Sequence, residues 1–371
     1  MRHRFVALAV VLAALIATAL LLEVGPAAAQ QQTLNIYNWN DYIDETTVAA
    51  FEKETGIKVR YDVYDSNEAM DAKLRAGRSG YDLVVPTASP FLANQVEARL
   101  YRPIDRAKLP NYKNLDPALM EQLGKYDPGN RHGVPWMWGT TGIGYNTERL
   151  LRAMPDAPVY SLKILFDPAI VARFKSCGVM ILDSATDVIP AALAYLGRNP
   201  DSQTREDLEA AVKVLQAIRP FVRKWHSSEY INGLANGDVC LAFGYSGDIK
   251  QAGRRAAEAK KGFKVEYAIP QEGTLVWIDT WAIPANSMNV DAAHRFLDFV
   301  LRPDVVAKNS NFIGYANAVP ASLPMLDAEV RDDPTIYPPE ELRKRFYTIS
   351  PADLAYERQR TRHWTRITTG R

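Results

Sequence analysis

The chain has 371 residues, enough for two medium domains with cores of their own. Hydrophobic content of 47% and charged content of 23% are those of a soluble globular protein. A formal net charge of +1 with no run of like charges gives no footprint for nucleic acid or an acidic membrane surface.

Arg2, His3 and Arg4 precede an apolar run from Phe5 to Leu22, followed by Glu23 and the small residues Gly25, Pro26, Ala27, Ala28 and Ala29. This is the basic, apolar, small order of a secretory signal, with cleavage expected after Ala29. The run approaches the length of a membrane span, but the Ala-x-Ala site favours removal, and no cysteine is near to carry a lipid. Loss of residues 1–29 leaves 42 basic and 42 acidic residues, and a chain not embedded in a membrane. Two cysteines remain, Cys177 and Cys240. In an exported protein two such thiols are expected to pair, adding roughly 3–5 kcal/mol in the chain-entropy model. No Cys-x-x-Cys or His cluster points to a metal, and no cofactor motif is present.

Leu34–Tyr37 reads as a strand. Asp44 or Glu45 then opens a helix with Val48 and Phe51 on one face, and Gly56 stops it. Ile57, Val59, Tyr61 and Val63 alternate as a half-buried strand. Ser66 begins a helix with Met70 and Leu74 inward, ended by Gly77. Leu83–Val85 is an apolar strand, and Ser89 before Pro90 is an N-cap signal. This β-α-β-α-β-α order predicts a parallel sheet with helices on both faces, whose ligands sit beyond the carboxyl ends of strands. Trp39, Asn40, Asp41 and Thr87 fall at such ends.

A second α/β unit follows Gly139, with strands at Gly142–Tyr145, Val179–Leu182 and Cys240–Phe243. Thr204 caps a helix carrying Leu208, Ala211, Val212, Leu215 and Ile218 on one stripe. Leu275–Trp281 is a further strand, followed by a helix bearing Phe296 and Val300. The pattern predicts two α/β lobes around a cleft. The chain crosses between them near Gly139–Gly142 and again near Glu272–Leu275. The expected boundaries are residues 30–138 with 272–325 for one lobe, 139–271 for the other, and a helical segment over 326–371 packing on both.

The strand from Leu275 to Trp281 carries one acid, Asp279, on the same face as Trp277 and Trp281. A lone charge on an apolar face is costly, so a cation is expected beside it, either a Lys or Arg of the chain or a ligand. Asp41, Asp187 and Asp248 also stand where strands give way to helices or loops. Singly, such acids cap helices and offset their dipoles. Recurrence of an acid beside Trp39, Tyr42, Tyr245 or Trp277 fits a linear aliphatic polyamine, whose ammonium groups need carboxylates and whose methylenes need ring faces.

The run Leu34-Asn35-Ile36-Tyr37-Asn38-Trp39-Asn40-Asp41-Tyr42-Ile43 resembles the opening of the periplasmic putrescine-binding proteins of polyamine ABC importers. The likeness continues through Tyr81-Asp82-Leu83-Val84-Val85-Pro86, Thr140-Thr141-Gly142-Ile143-Gly144-Tyr145-Asn146 and Leu301-Arg302-Pro303-Asp304-Val305-Val306, as far as Arg360-Thr361-Arg362. It implies an α/β, two-lobed type II periplasmic-binding-protein fold joined by a hinge, and a periplasmic monomer that hands putrescine to the permease subunits of an ABC transporter. It further implies an aromatic box of Trp39, Tyr42, Tyr245, Trp277 and Tyr315. Asp41, Asp248 and Asp279 would hold ammonium groups, Asn40, Thr87 and Ser227 would be polar supports, and Asp187 belongs to the same ligand-binding set. The family's disulfide is matched by Cys177 and Cys240.

Asp187 stands where the family has Glu, Tyr245 where it has Trp, and Thr87 where it has Ser. Trp277 replaces a Phe, as in relatives that take spermidine, whereas Asp248 and Ser89 are on the putrescine side. Putrescine is the expected ligand, with spermidine as the alternative. A polyamine sensor for a receptor would carry the same residues, as would a binding protein for another small cation. Hydrolase chemistry lacks a Gly-x-Ser-x-Gly elbow or a His-Glu-x-x-His helix, and anion or ferric binding does not suit an acidic cleft.

Overall fold

The computed structural model describes residues 32–370. The expected signal segment, residues 1–29, lies outside the described residues. Strands β1 (Thr33–Trp39), β2 (Lys58–Tyr64) and β3 (Leu83–Val84) are parallel, with β1 in the middle. Helix α1 (Glu45–Thr55) is capped by Asp44, which accepts from the Thr46 amide, and ends at Gly56 with φ 72°. Helix α2 (Asn67–Arg75) is capped by Ser66, which accepts from the Ala69 amide. These caps satisfy amides that the first helical turn leaves without partners.

The alternation expected along β2 fails at its end. Val63 is exposed and Tyr64 is buried, its hydroxyl donating to the Val85 carbonyl. The Ser89 N-cap is also corrected. Ser89 has the extended backbone of an N-cap residue (φ −125°, ψ 135°), but its hydroxyl donates to the Ile349 carbonyl instead of accepting from an amide of the following turn.

β4 (Gly133–Asn146) is longer than the expected Gly142–Tyr145 segment. A register shift between Pro135 and Trp138 absorbs the proline, which cannot donate to a ladder. The strand serves two neighbourhoods. It pairs antiparallel with β9 (Thr274–Ala282) up to Thr140, then with β7 (Leu241–Tyr245) from Thr141 onward. β5 (Val179–Ile181), β6 (Lys224–Trp225) and β8 (Val265–Ala268) complete the second half of the sheet. The order β2-β1-β3-β9-β4-β7-β5-β6 is therefore mixed, with parallel triplets at its ends joined by antiparallel strands. β10 (Ala316–Asn317) pairs with β4, and β11 (Phe346–Tyr347) runs parallel to Thr274–Leu275.

Two main hydrophobic cores follow from this layout. The first combines Leu34 to Met137 with Leu275 to Ile349. The second is built from residues between Ile143 and Ile269, joined by Tyr356, Trp364 and Ile367 of the tail. Tyr245 and Tyr347 pack at the margin of both. The chain passes between these cores where β4 changes partner at Thr140–Thr141 and again ahead of β9 at Thr274. A third crossing is made by the tail: Ile349 is held by Ser89, while Ser350 is bonded through its amide and hydroxyl to Asp201.

Helices α3 (Ala185–Tyr195), α4 (Arg205–Ile218), α5 (Glu229–Asn236) and α6 (Ser246–Glu258) surround the second core. Thr204 caps α4 as expected, accepting from the Asp207 amide. α7 (Val290–Val300) and α8 (Pro303–Ile313) cover the first core, and α9 (Leu354–Thr369) ends the described chain. No described helix is long and apolar enough to cross a membrane.

Cys177 and Cys240 are disulfide-bonded across a sequence separation of 63 residues. Replacing both with Ala is expected to lower the unfolding free energy by about 3–5 kcal/mol. Urea denaturation followed by far-UV circular dichroism checks this; an unchanged midpoint would show that the bridge constrains little.

Candidate functional site

Leu275, Trp277 and Asp279 alternate along β9 and face one cleft of about 620 Å³. Trp281 shares their side of the strand but lies deeper, in edge contact with Trp136 and Phe296. Beyond the carboxyl end of β1, Trp39, Asn40 and Tyr42 enter the same cleft, and Thr87 enters after β3. Across it stand Asp187 in α3, Ser227 after β6, Tyr245 at the end of β7 and Asp248 in α6. Tyr315, after α8, closes the ring. Eleven of the twelve residues singled out in the sequence thus line one space.

Five aromatic side chains form a continuous arc of edge-to-face contacts. Ring centroids are 6.2 Å apart for Trp39 and Tyr245, 5.7 Å for Tyr245 and Trp277, 5.3 Å for Trp277 and Tyr315, and 5.3 Å for Tyr42 and Tyr315. Such T-shaped pairs set the edge of one ring against the face of the next. Small residues permit the closeness. A Cβ at Gly139 would come within 2.9 Å of the Trp277 ring, and one at Gly247 would collide with Tyr315.

Each of three buried acids is met by hydroxyls. Asp279 accepts from Thr87 Oγ1 at 2.6 Å and Tyr42 Oη at 2.9 Å. Asp248 accepts from Tyr230 and Tyr315, both at 2.6 Å. Asp187 accepts from Ser184 at 2.6 Å, Thr141 at 2.9 Å and Tyr245 at 3.4 Å. None of the three belongs to an ion pair among the described residues, so a core salt bridge does not account for Asp279.

Burial pushes the Asp279 carboxyl up to about 7, against the lowering effect of Thr87 and Tyr42 and with further raising by Asp187 and Asp248. Burial likewise takes Asp248 up to about 6, opposed by Tyr230 and Tyr315. Asp187 is also raised by burial, with Ser184, Thr141 and Tyr245 opposing. Hydroxyl donors stabilise a carboxylate but bring no charge, so desolvation prevails.

Asp41 departs from expectation. Its backbone takes a left-handed conformation (φ 54°), and its side chain does not line the cleft. One carboxylate oxygen pairs with Arg255 of α6 at 2.9 Å and the other accepts from Asn40 at 2.8 Å. Its charge is already matched by a guanidinium of the facing helix.

Two polar groups in the cleft lack a hydrogen-bond partner among the described residues, Ser227 Oγ and Trp277 Nε1. No local pattern marks Asp65, Asn67 or Ile349, which also line the cleft. Asn67 donates to Thr87 Oγ1 at 2.9 Å and thereby orients the hydroxyl that serves Asp279. Its place at the start of α2 reads from sequence only as a helix terminus.

Two lobes closing over a cleft lined by ring faces and carboxylates define a ligand-binding protein of the two-lobed type II class. The chain belongs to the bacterial extracellular solute-binding proteins, whose family model matches residues 46–338. It is 48% identical over 363 residues to the putrescine-binding periplasmic protein PotF of Escherichia coli (strain K12), covering 97% of this chain and 98% of that one. It is also 48% identical over 345 residues to the putrescine-binding periplasmic protein SpuD of Pseudomonas aeruginosa (strain UCBPP-PA14), covering 93% and 94%. Among solved structures, the spermidine/putrescine ABC transporter substrate-binding protein PotD of Streptococcus pneumoniae superposes with a TM-score of 0.71 at 28% identity, over 91% of this chain and 99% of that one. The protein is accordingly a solute-binding protein and not an enzyme.

The raised carboxyls fix the sign of a pH dependence. A cation seated among them favours their ionised forms, so its affinity falls as pH drops through about 7 and then about 6. Titration calorimetry at pH 8 and pH 5 is expected to differ by about tenfold or more in Kd, with protons released on binding near neutrality. Equal affinity at both values would mean that the acids stay ionised without a cation. For folding the sign is opposite: unfolded carboxyls titrate near 4, so ionising these groups in the cation-free protein lowers its stability as pH rises from there to about 7.

Proposed function

We propose that the protein captures a short aliphatic polyamine, putrescine in the first place, in the periplasm and delivers it to the permease subunits of an ABC importer. One observation carries this reading. Three buried carboxylates without a cationic partner surround a space whose other walls are aromatic rings. An inorganic cation would need several converging oxygens and gains little from indole and phenol walls; no group of acids or His suited to a metal occurs among the described residues. An amino acid would bring a carboxylate into an acidic cleft. A diamine brings two charges for the acids and a methylene chain for the rings. The relatives described as putrescine-binding support the same class.

In this reading the lobes comprise residues 30–138 with 272–325 and residues 139–271, residues 326–371 pack on both, and the protein acts as a monomer. Trp39, Tyr42, Tyr245, Trp277 and Tyr315 cover the methylenes. Asp187, Asp248 and Asp279 take the ammonium groups, and Asn40, Thr87 and Ser227 support them. One pair of charges at about 4 Å contributes about 4 kcal/mol at an effective dielectric near 20. After desolvation and closure costs, several such contacts are consistent with about −8 kcal/mol, a micromolar affinity.

Calorimetric titration with putrescine, cadaverine, spermidine, spermine and an amino-acid control tests the class directly. Heat from the amines and none from the control is expected, whereas silence from every amine would overturn the reading. Asp279→Ala is expected to weaken putrescine by about a hundredfold or more, since it removes a buried charge partner. Asp41→Ala should cost much less, because Asp41 serves Arg255. A loss below about tenfold at Asp279 would exclude it as an ammonium ligand.

A further inference from the structure

The helix that carries Asp248 is fastened to the opposite lobe along a line outside the cleft. The buried face of α6 belongs to the second core, through Ile249 and Ala252. Another face packs on the C-terminal end of α8. Arg254 donates to the Phe312 carbonyl there, and a Cβ at Gly314 would lie 3.2 Å from the Cβ of Lys250. Lys250 itself pairs with Asp333 at 2.6 Å.

Asp333 sits with the first lobe. Leu326, Val330 and Ile336, on either side of it in sequence, pack with Ala307 of α8 and Ala316 of β10. The Asp327 amide donates to Asn311 Oδ1 of α8 at 3.0 Å, and Tyr337 Oη accepts from the Asn317 amide at 3.3 Å. The Lys250–Asp333 pair therefore joins bodies with separate cores. Lys250, Arg254 and Asp333 are all absent from the walls of the cleft.

The pair differs from an ordinary surface contact. Its side chains are 24% and 20% exposed, so much of each is withdrawn from water. The second oxygen of Asp333 accepts from the amide and the hydroxyl of Thr335, at 2.8 and 2.7 Å. Thr335 thus sets the carboxylate in place for Lys250. Burial acts to raise the Asp333 carboxyl, yet Lys250 and Thr335 together hold it below its ordinary range.

Resting on the reading of two lobes that close on a polyamine, we propose that Lys250 and Asp333 set affinity without touching the ligand. Their ion pair, with Arg254 on Phe312 beside it, holds α6 and the Asp248 it carries against the facing wall. Opening draws α6 away from the 326–337 segment, so the pair contributes only to the closed form. Loss of the pair lowers the share of protein in the binding-competent form and raises every Kd in the same proportion. Selectivity among amines stays with the acids and rings of the cleft.

The test is calorimetric titration of the wild-type protein, Lys250→Met, Asp333→Asn and the double variant with putrescine, cadaverine and spermidine, beside thermal melting of each protein without ligand. Both single substitutions are expected to weaken every amine that binds by about threefold or more, the size of a partly exposed pair. The double variant should be no weaker than the weaker single one, and Lys250→Arg should recover most of the loss. A mere effect of charge on a cationic ligand has a different signature: removing the lysine would tighten binding while removing the aspartate weakened it. Tighter binding by Lys250→Met would therefore overturn the proposal. So would losses that differ among the amines, losses that add in the double variant, or lower melting points with every Kd unchanged, which would mark a contact inside one rigid body. In each of these cases polyamine binding by the wild type stands. Silence of the wild type with all three amines would remove that reading, and the role of the pair with it.

Discussion

Three carboxylates held out of water in one small space, with hydroxyls but no cation around them, set the terms for the rest of this structure. Hydrogen bonds from Tyr42, Thr87, Tyr230, Tyr315, Ser184 and Thr141 satisfy oxygen lone pairs. They do not supply positive charge, and burial keeps all three carboxyls raised above their ordinary range. A lysine in the same place would have relieved the cost and filled the site. Leaving the charges unmatched makes an incoming cation the favourable partner, since it both neutralises them and displaces the protons that otherwise hold their place.

The fold assembles this constellation from segments distant in sequence. Tyr42 and Asp279 are 237 positions apart and Tyr315 and Asp248 are 67 apart, yet each pair is hydrogen-bonded. β4 makes this possible by pairing with β9 along one part and β7 along the next, so a single strand carries the chain between the two cores. Rings and acids then project from strand ends that face each other. Tyr315–Asp248 and Asp41–Arg255 join the facing walls directly. The tail adds a third connection, with β11 against β9, Ile349 in the cleft and Ser350 on Asp201.

Residues whose chemistry conflicts with their local element were the legible ones. Asp279 in an apolar strand and the aromatic–acid pairs at strand ends break the pattern of an ordinary core, and eleven of the expected site residues share the cleft. Asp41 looks the same in sequence, but its contact with Arg255 depends on how α6 lies, which no local pattern records. The length of β4 was hidden by Pro135, which reads as a break until the register shift is seen. β11 has two residues and pairs far away in sequence, too little for any periodicity.

A protein that captures a solute and then yields it requires charges that are costly alone and satisfied only in the closed, loaded state. Asp187 and Asp248 come from one wall of the cleft and Asp279 from the other, and each raises the pKa of Asp279 or is raised by the same burial. Separating the walls returns water to all three and removes the desolvation that makes a cation so favourable. The facing walls also touch directly, through the Tyr315 hydroxyl on Asp248, the partly exposed Asp41–Arg255 pair and the ring contacts of Tyr245 with Trp39 and Trp277. A cation that neutralises the acids adds to these contacts, so the energy that selects the solute also favours the arrangement in which both walls reach it.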